Sequence, residues 1–210
     1  MFVKVCGITR YEDALYAEKL GASAVGFIFY SKSPRFVDTE TVAHISEQLG
    51  PFTGRVGVFV NEDPDVIRRT VRDARLTAVQ LSGTEEPETV KQLDGIPVIK
   101  VIHVDNEFEP SCMDRYNVSA YLLDTGKKGS YGGTGIPFDW ELVRPCRDRG
   151  RIILAGGLSP LNIGEAIRTV QPWGVDVSSG LELSPGIKDH SLMRKFFQIV
   201  TRESNCESYR

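Results

Sequence analysis

Four cysteines and three histidines are all that this chain of 210 residues offers as soft metal ligands. Cys6, Cys112, Cys146 and Cys206 form no CxxC pair, and none stands beside His44, His103 or His190. That scatter argues against structural zinc and against a disulfide framework, so no bound metal is expected. An excess of positive charge is missing too. The 25 Lys and Arg are set against 28 Asp and Glu, a net charge of −3, so neither a nucleic acid nor an anionic membrane is an expected partner. No apolar run approaches the ~20 residues of a membrane span, and Met1–Arg10 lacks the apolar core of a signal peptide. A cytoplasmic protein is expected. No low-complexity stretch, charge block or linker divides the sequence, so residues 1–210 are read as one domain.

What is present is ordinary globular composition, 41% hydrophobic and 25% charged, in a recurring pattern. Short β-rich runs occupy Phe2–Cys6, Ala24–Phe29, Val56–Val60, Ala78–Leu81, Val98–Ile102, Ala120–Asp124, Ile152–Ala155 and Val175–Ser178. They are continuously apolar rather than alternating, as parallel strands covered on both faces must be. Eight such β-then-α units predict an α/β fold closed into a single (β/α)8 TIM barrel. A doubly wound open sheet is the competing architecture.

Helix signals fill the intervals. Asp63-Pro64 pairs an N-cap with proline in the first turn, and Ser159-Pro160 repeats the arrangement. Asp38 precedes Val42, Ile45 and Leu49 at helical spacing, and Leu192, Phe196, Phe197 and Val200 form a stripe near the C-terminus. Pro110 interrupts the weakest pattern, between Asn106 and Tyr116. Pro145 predicts an early end or kink in the helix after Trp140.

In a barrel of this kind the strand ends and the loops after them form the catalytic face, and the unusual residues fall there. Strand one ends at Cys6, strand two leads to Arg35, strand six ends at Asp124, and strand eight carries Asp176. The Gly156-Gly157 turn after strand seven and the Ser179-Gly180 turn after strand eight suit a phosphate, because glycine lets backbone N–H groups approach an anion. A small phosphorylated molecule is therefore the expected ligand. Gly126–Gly135 fits neither a dinucleotide fingerprint nor a P-loop, and reads as a lid. Cys6 as thiolate and Asp124 as a protonated carboxylic acid form a candidate base and acid. Arg35 can grip a carboxylate through two parallel hydrogen bonds. Asp176 is a weaker candidate for substrate contact, and a structural role fits it equally well.

Blocks along the whole chain then carry a resemblance. Lys4-Val5-Cys6-Gly7-Ile8-Thr9, Gly26-Phe27-Ile28-Phe29 with Ser33-Pro34-Arg35, Gly57–Asn61 and Val79-Gln80-Leu81 follow in order. After them come Asp124, Gly132–Gly135 with Phe138-Asp139-Trp140, Leu154–Leu158 through Asn162, and Asp176–Glu182 with Pro185–Asp189. This ordered set resembles the phosphoribosylanthranilate isomerases of tryptophan biosynthesis. One departure stands out: Ser82 follows Gln80-Leu81 where the family usually shows histidine.

The resemblance implies an isomerase that needs no cofactor and performs an Amadori rearrangement of N-(5′-phosphoribosyl)anthranilate. It implies Asp124 as the acid that opens the ribose ring and Cys6 as the base at the sugar C2. Arg35 would hold the anthranilate carboxylate, and Gly156, Gly157, Ser179 and Gly180 the phosphate. A monomer is expected in preference to a dimer. Two other functions compete: a different phosphosugar isomerase or epimerase, and a barrel that binds a phosphoribosyl ligand without turning it over.

Overall fold

The structure is a computed structural model that describes residues 1–105, 107–125 and 140–207. Eight parallel strands close into a barrel in sequence order: β1 (Phe2–Cys6), β2 (Ala24–Ile28), β3 (Gly54–Phe59), β4 (Ala78–Leu81), β5 (Val98–Val104), β6 (Ala120–Thr125), β7 (Ile152–Leu154) and β8 (Gly174–Val177). Closure is made by β1 against β8, with Phe2 opposite Gly174 and Lys4 opposite Asp176. The open-sheet alternative is thereby set aside. The sequence runs coincide with the strands to within two residues at either end.

Because side chains alternate across a strand, each barrel strand feeds two cores. The inward set is small: Val56, Ile99, Val101, Leu122, Ile153 and Ala155 pack inside the barrel. The outward set meets the helices and forms the larger core, with Val5, Val25, Phe27, Val79, Leu81 and Leu123 fully buried.

The helices are α1 (Tyr11–Lys19), α2 (Thr39–Gln48), α3 (Pro64–Asp73), α4 (Pro87–Gln92), α5 (Ile163–Val170) and α6 (His190–Glu207). Asp38 caps α2 through the Thr41 N–H, and Asp63 caps α3 through the N–H groups of Asp65 and Val66. Each such cap stabilises its helix by about 1 kcal/mol. Ser159 is not the cap of α5: it opens a turn, and regular helix begins only at Ile163. Two intervals carry 3-10 helix in place of α-helix, Pro110–Arg115 and Trp140–Arg149. Proline explains both, since Pro110 sits in the first turn of one and Pro145 inside the other, where its ring and missing N–H spoil α-geometry. After β8 a single 3-10 turn, Ser179–Leu181, leads into an antiparallel hairpin, β9 (Glu182–Ser184) and β10 (Ile187–Lys188). No helix among the described residues is long and apolar enough to cross a membrane.

Candidate active site

At the C-terminal ends of the strands the inward-facing positions open into a cavity. One wall is apolar, built from Ile28, Val58, Val60 and Val101; the opposite side carries Gly156, Gly157, Ser178 and Ser179. Cys6 on β1 and Asp124 on β6 both line the space between. The placement follows from strand parity. Positions 4 and 6, 101 and 103, 122 and 124, and 176 and 178 are two apart on their strands, so each pair shares the inner face.

Asp124 lies in a poorly solvated corner. Burial, reinforced by the negative charge of Asp176, pushes its carboxyl from the usual range up to about 7. Its Oδ1 is buried and accepts no hydrogen bond among the described residues. The chain comes this close only because position 156 is glycine. A Cβ there would lie 2.7 Å from the Thr125 N and 2.9 Å from the Asp124 Oδ1, and the backbone has φ +85°. The Gly156 turn thus shapes the acid's corner as well as the cavity rim.

Cys6 is almost fully buried, and burial pushes its thiol up. Lys4, two residues earlier on the same face, offsets part of that rise and Asp176 adds to it, so the thiol stays above its ordinary value. The Lys4 Nζ donates to the Asp176 Oδ1 at 2.8 Å, with both side chains under 10% exposed.

Arg35 reaches the cavity from the segment after β2, but its fork is partly engaged. Nε donates to both Glu182 carboxylate oxygens, at 2.9 and 3.1 Å, and Nη2 to Oε2 at 2.7 Å. Nη1 makes no hydrogen bond among the described residues. Glu182 is also held by Lys188, whose Nζ donates to Oε1 at 2.8 Å, to the Cys6 carbonyl at 2.6 Å and to the Ser178 carbonyl at 3.2 Å. Burial raises the Glu182 carboxyl, but the hydrogen bonds from Arg35 and Lys188 outweigh it and hold the group below its ordinary value.

The two glycine-bearing turns touch each other. A Cβ at Gly180 would run into the Leu158 carbonyl, so the loops after β7 and β8 form one continuous rim. The backbone N–H groups of Gly156, Gly157, Ser179 and Gly180 make no backbone hydrogen bond among the described residues. The first turn does not run straight into a helix, since residues 158–162 precede α5, whereas Ser179 and Gly180 open a 3-10 turn directly.

A further polar feature is His103 at the inner face of β5. It lines the cavity together with Ser82 and sits opposite Asp124 in the β5–β6 register. Burial, with Lys100 adding to it, holds its imidazole below the ordinary value.

A sequence model of the family described as N-(5′-phosphoribosyl)anthranilate (PRA) isomerase matches residues 3–199. The N-(5′-phosphoribosyl)anthranilate isomerase of Thermotoga maritima is 48% identical over 198 residues, covering 93% of this chain and 96% of its own. The chain belongs to the N-(5′-phosphoribosyl)anthranilate isomerase family. The crystal structure of the Thermotoga maritima phosphoribosyl anthranilate isomerase superimposes with a TM-score of 0.90 at 45% identity, over 96% of this chain and 99% of that one. A phosphoribosyl anthranilate isomerase in complex with reduced 1-(o-carboxyphenylamino)-1-deoxyribulose 5-phosphate gives 0.87 at 43% identity, with the same coverage. A further structure, of mutually generated monomers, describes the Thermotoga maritima isomerase as dimeric.

Set beside this family, the residues singled out from sequence fall together. Cys6, Arg35, Asp124, Gly156, Gly157, Asp176 and Ser179 all line one cavity, with Gly180 on its rim. Gly126–Gly135, read as a lid, lies outside the described residues, as do Phe138 and Asp139. Sequence reasoning missed Lys4, Glu182 and Lys188. Lys4 was within reach, because a residue two before Cys6 on a strand must share its face. Glu182 and Lys188 carried no such signal, as they meet Arg35 and Cys6 through the β9–β10 hairpin rather than through any periodicity.

Proposed function

We propose that this chain isomerises N-(5′-phosphoribosyl)anthranilate to 1-(2-carboxyphenylamino)-1-deoxyribulose 5-phosphate in tryptophan biosynthesis, by general acid–base catalysis with Asp124 as acid and Cys6 as base. The observation that carries this reading is a carboxyl group near pKa 7 and a thiol facing one cavity, beneath a rim of backbone donors.

A carboxylic acid near 7 is half protonated at neutral pH, which suits it to give a proton and to leave as carboxylate. Asp124 protonates the ribose ring oxygen, and the ring opens to a Schiff-base cation. The cation acidifies the proton on C2, so a thiolate is basic enough to remove it. Cys6 takes that proton, and the enolamine tautomerises to the ketone, gaining a proton at C1 and losing one from the C2 oxygen. Each of the two groups is worth about 10² to 10⁴ in rate.

The rest of the cavity supplies position. Gly156, Gly157, Ser179 and Gly180 hold the phosphate through backbone N–H groups, and Nη1 of Arg35 meets the anthranilate carboxylate beside the apolar wall. Asp176 acts on the site through Lys4 and Asp124 rather than by a long reach to substrate. Residues 1–210 work as one catalytic domain, as a monomer, a state that sedimentation equilibrium tests directly.

The deciding assay mixes the protein with N-(5′-phosphoribosyl)anthranilate and follows the loss of its fluorescence. Turnover lowered about 10²- to 10⁴-fold in Cys6→Ser and in Asp124→Asn, with ligand binding retained, is the expected result. Binding without turnover by the unaltered protein would instead favour an idle ligand-binding barrel.

A further inference from the structure

A buried lysine beside a buried cysteine needs an explanation. Lys4 is 5% exposed, and its ammonium hydrogen-bonds the carboxylate of Asp176 and the side chain of Cys6. An ammonium carries three N–H donors, and these contacts engage two of them, one on the carboxylate and one on the sulfur. Removing such a charge from water costs several kcal/mol, and an apolar side chain of similar size would fill the space more cheaply. Stability alone gives no reason for it.

The geometry around Gly26 supplies one. A Cβ built on Gly26 would lie 2.8 Å from the Cys6 Sγ, 3.0 Å from the Lys4 Cε and 3.1 Å from the Lys4 Nζ. The sulfur and the ammonium thus flank one methyl-sized space on β2, and any side chain there would drive them apart. Lys4 and Cys6 are two apart on β1 and share its inner face, while Asp176 stands opposite Lys4 in the β1–β8 register.

We infer that Lys4 is a positioning residue for the reaction: its ammonium, held by Asp176 and given room by Gly26, is the counter-ion of the Cys6 thiolate. This rests on the reading of Cys6 as the base. When Cys6 acts, the C2–H bond breaks and the proton forms an S–H bond. The freed electron pair makes the C1–C2 double bond, and the iminium nitrogen accepts the displaced pair. The sulfur loses its negative charge in that step, and Asp176 remains to balance Lys4. Cys6 is also faced by Lys188 from β10, Arg35 from the segment after β2 and Asp124 from β6. Lys188 donates to the Cys6 backbone and to Glu182, and Arg35 is engaged by Glu182, so neither is committed to the sulfur. The electrostatics agree in sign from both partners: Lys4 favours the thiolate, and the thiolate favours the Lys4 ammonium.

The test reads thiol ionisation directly, using the full chain. Iodoacetamide labelling of Cys6 is followed against pH, with the modified peptide identified by mass spectrometry. Lys4→Met is expected to move the labelling midpoint up by about one pH unit or more, the size of effect an opposite charge at this range exerts. It should also lower kcat roughly 10-fold or more at pH 7, with KM little changed. Asp176→Asn removes the opposing negative charge and is expected to move the midpoint the other way, downward. A merely structural pair has no reason to give opposite signs. An unchanged midpoint in folded Lys4→Met, or shifts of the same sign in both variants, would overturn the inference. If Lys4→Met does not fold, the nearly isosteric Asp176→Asn decides: no downward shift, and the inference fails. Near-normal turnover in Cys6→Ser is a separate result that removes the base reading, and the labelling midpoint does not depend on it.

Discussion

Arg35 and Glu182 are 147 residues apart in sequence and lock together at the cavity edge, three hydrogen bonds joining guanidinium and carboxylate. A two-pronged contact of this kind fixes the plane of the guanidinium before any ligand arrives. Arg35→Ala removes the group offered to the anthranilate carboxylate. A hydrogen bond to a charged group contributes about 1.5–3 kcal/mol, so KM should rise roughly 10- to 100-fold, with a smaller change in kcat. Glu182→Gln leaves Arg35 in place but releases its aim and strips Lys188 of its partner. A smaller rise in KM and a lower Tm are expected together. Unchanged affinity for anthranilate-bearing ligands in Arg35→Ala would remove the carboxylate role.

Asp124 links activity to stability. Its carboxyl titrates near 7 in the folded chain, against about 3.9 when unfolded. Between those values the native state holds a proton that the unfolded state has lost, so stability falls as pH rises through the window. The penalty is complete above about 7. Asp124→Asn escapes it, and should be more stable than the unaltered protein at pH 8 by up to a few kcal/mol, the advantage shrinking toward pH 4. The same substitution should cost about 10²- to 10⁴-fold in turnover. Thermal melts at pH 5 and pH 8 check the sign; equal pH dependence in the two proteins would mean the carboxyl titrates normally.

The barrel was legible because its strands are buried on both faces and therefore announce themselves as short, mostly apolar runs. Phe2–Cys6 and Ala78–Leu81, interrupted only by Lys4 and Gln80, each match their strand end for end. The candidate site was legible in the same degree, since Cys6, Asp124 and Asp176 sit on those strands or at their ends. What failed to show were elements held by backbone detail and by long-range contacts. Ser159-Pro160 has the composition of a helix start, yet the Ser159 hydroxyl and carbonyl close a local turn instead, and α5 starts later. The grip of Glu182 on Arg35 depends on a hairpin of two very short strands, which no periodicity marks. Lys100 reads as an ordinary polar position within Val98–Ile102 and is in fact one of the most deeply buried charges in the chain.

That lysine carries its own consequence. The Lys100 Nζ donates to the Glu85 Oε2 at 2.7 Å and to the Gly83 carbonyl at 2.8 Å, while Glu85 accepts from the N–H groups of Asn61 and Gly83. The pair ties the ends of β3, β4 and β5 together with both side chains at most 3% exposed. Removing one partner of such a pair strands the other charge without water, at a cost of about 3–5 kcal/mol. Glu85→Gln and Lys100→Met should each lower the denaturant midpoint accordingly, and the double variant should lose less than the two singly added. Additive losses would show that the two side chains do not depend on each other.

The imidazole of this pocket comes from an unexpected strand. Ser82 on the loop end of β4 occupies the place where the family usually has histidine, and His103 on the neighbouring β5 lines the same wall. Burial holds His103 below its ordinary value, so the ring is neutral at pH 7 and can both donate and accept. Its Nδ1 is buried without a hydrogen-bond partner among the described residues, and its neighbour in register is Asp124. A neutral ring in that position suits a substrate hydroxyl or amine held beside the acid. His103→Ala should lower kcat/KM by about 3- to 10-fold, the range of one neutral hydrogen bond. Adding Ser82→His to that variant returns an imidazole to the same wall from β4, and should recover most of the loss. A ring that merely fills space would not be replaced from a different strand, so His103→Ala with unaltered kinetics, or a double variant no better than the single, would reduce His103 to packing.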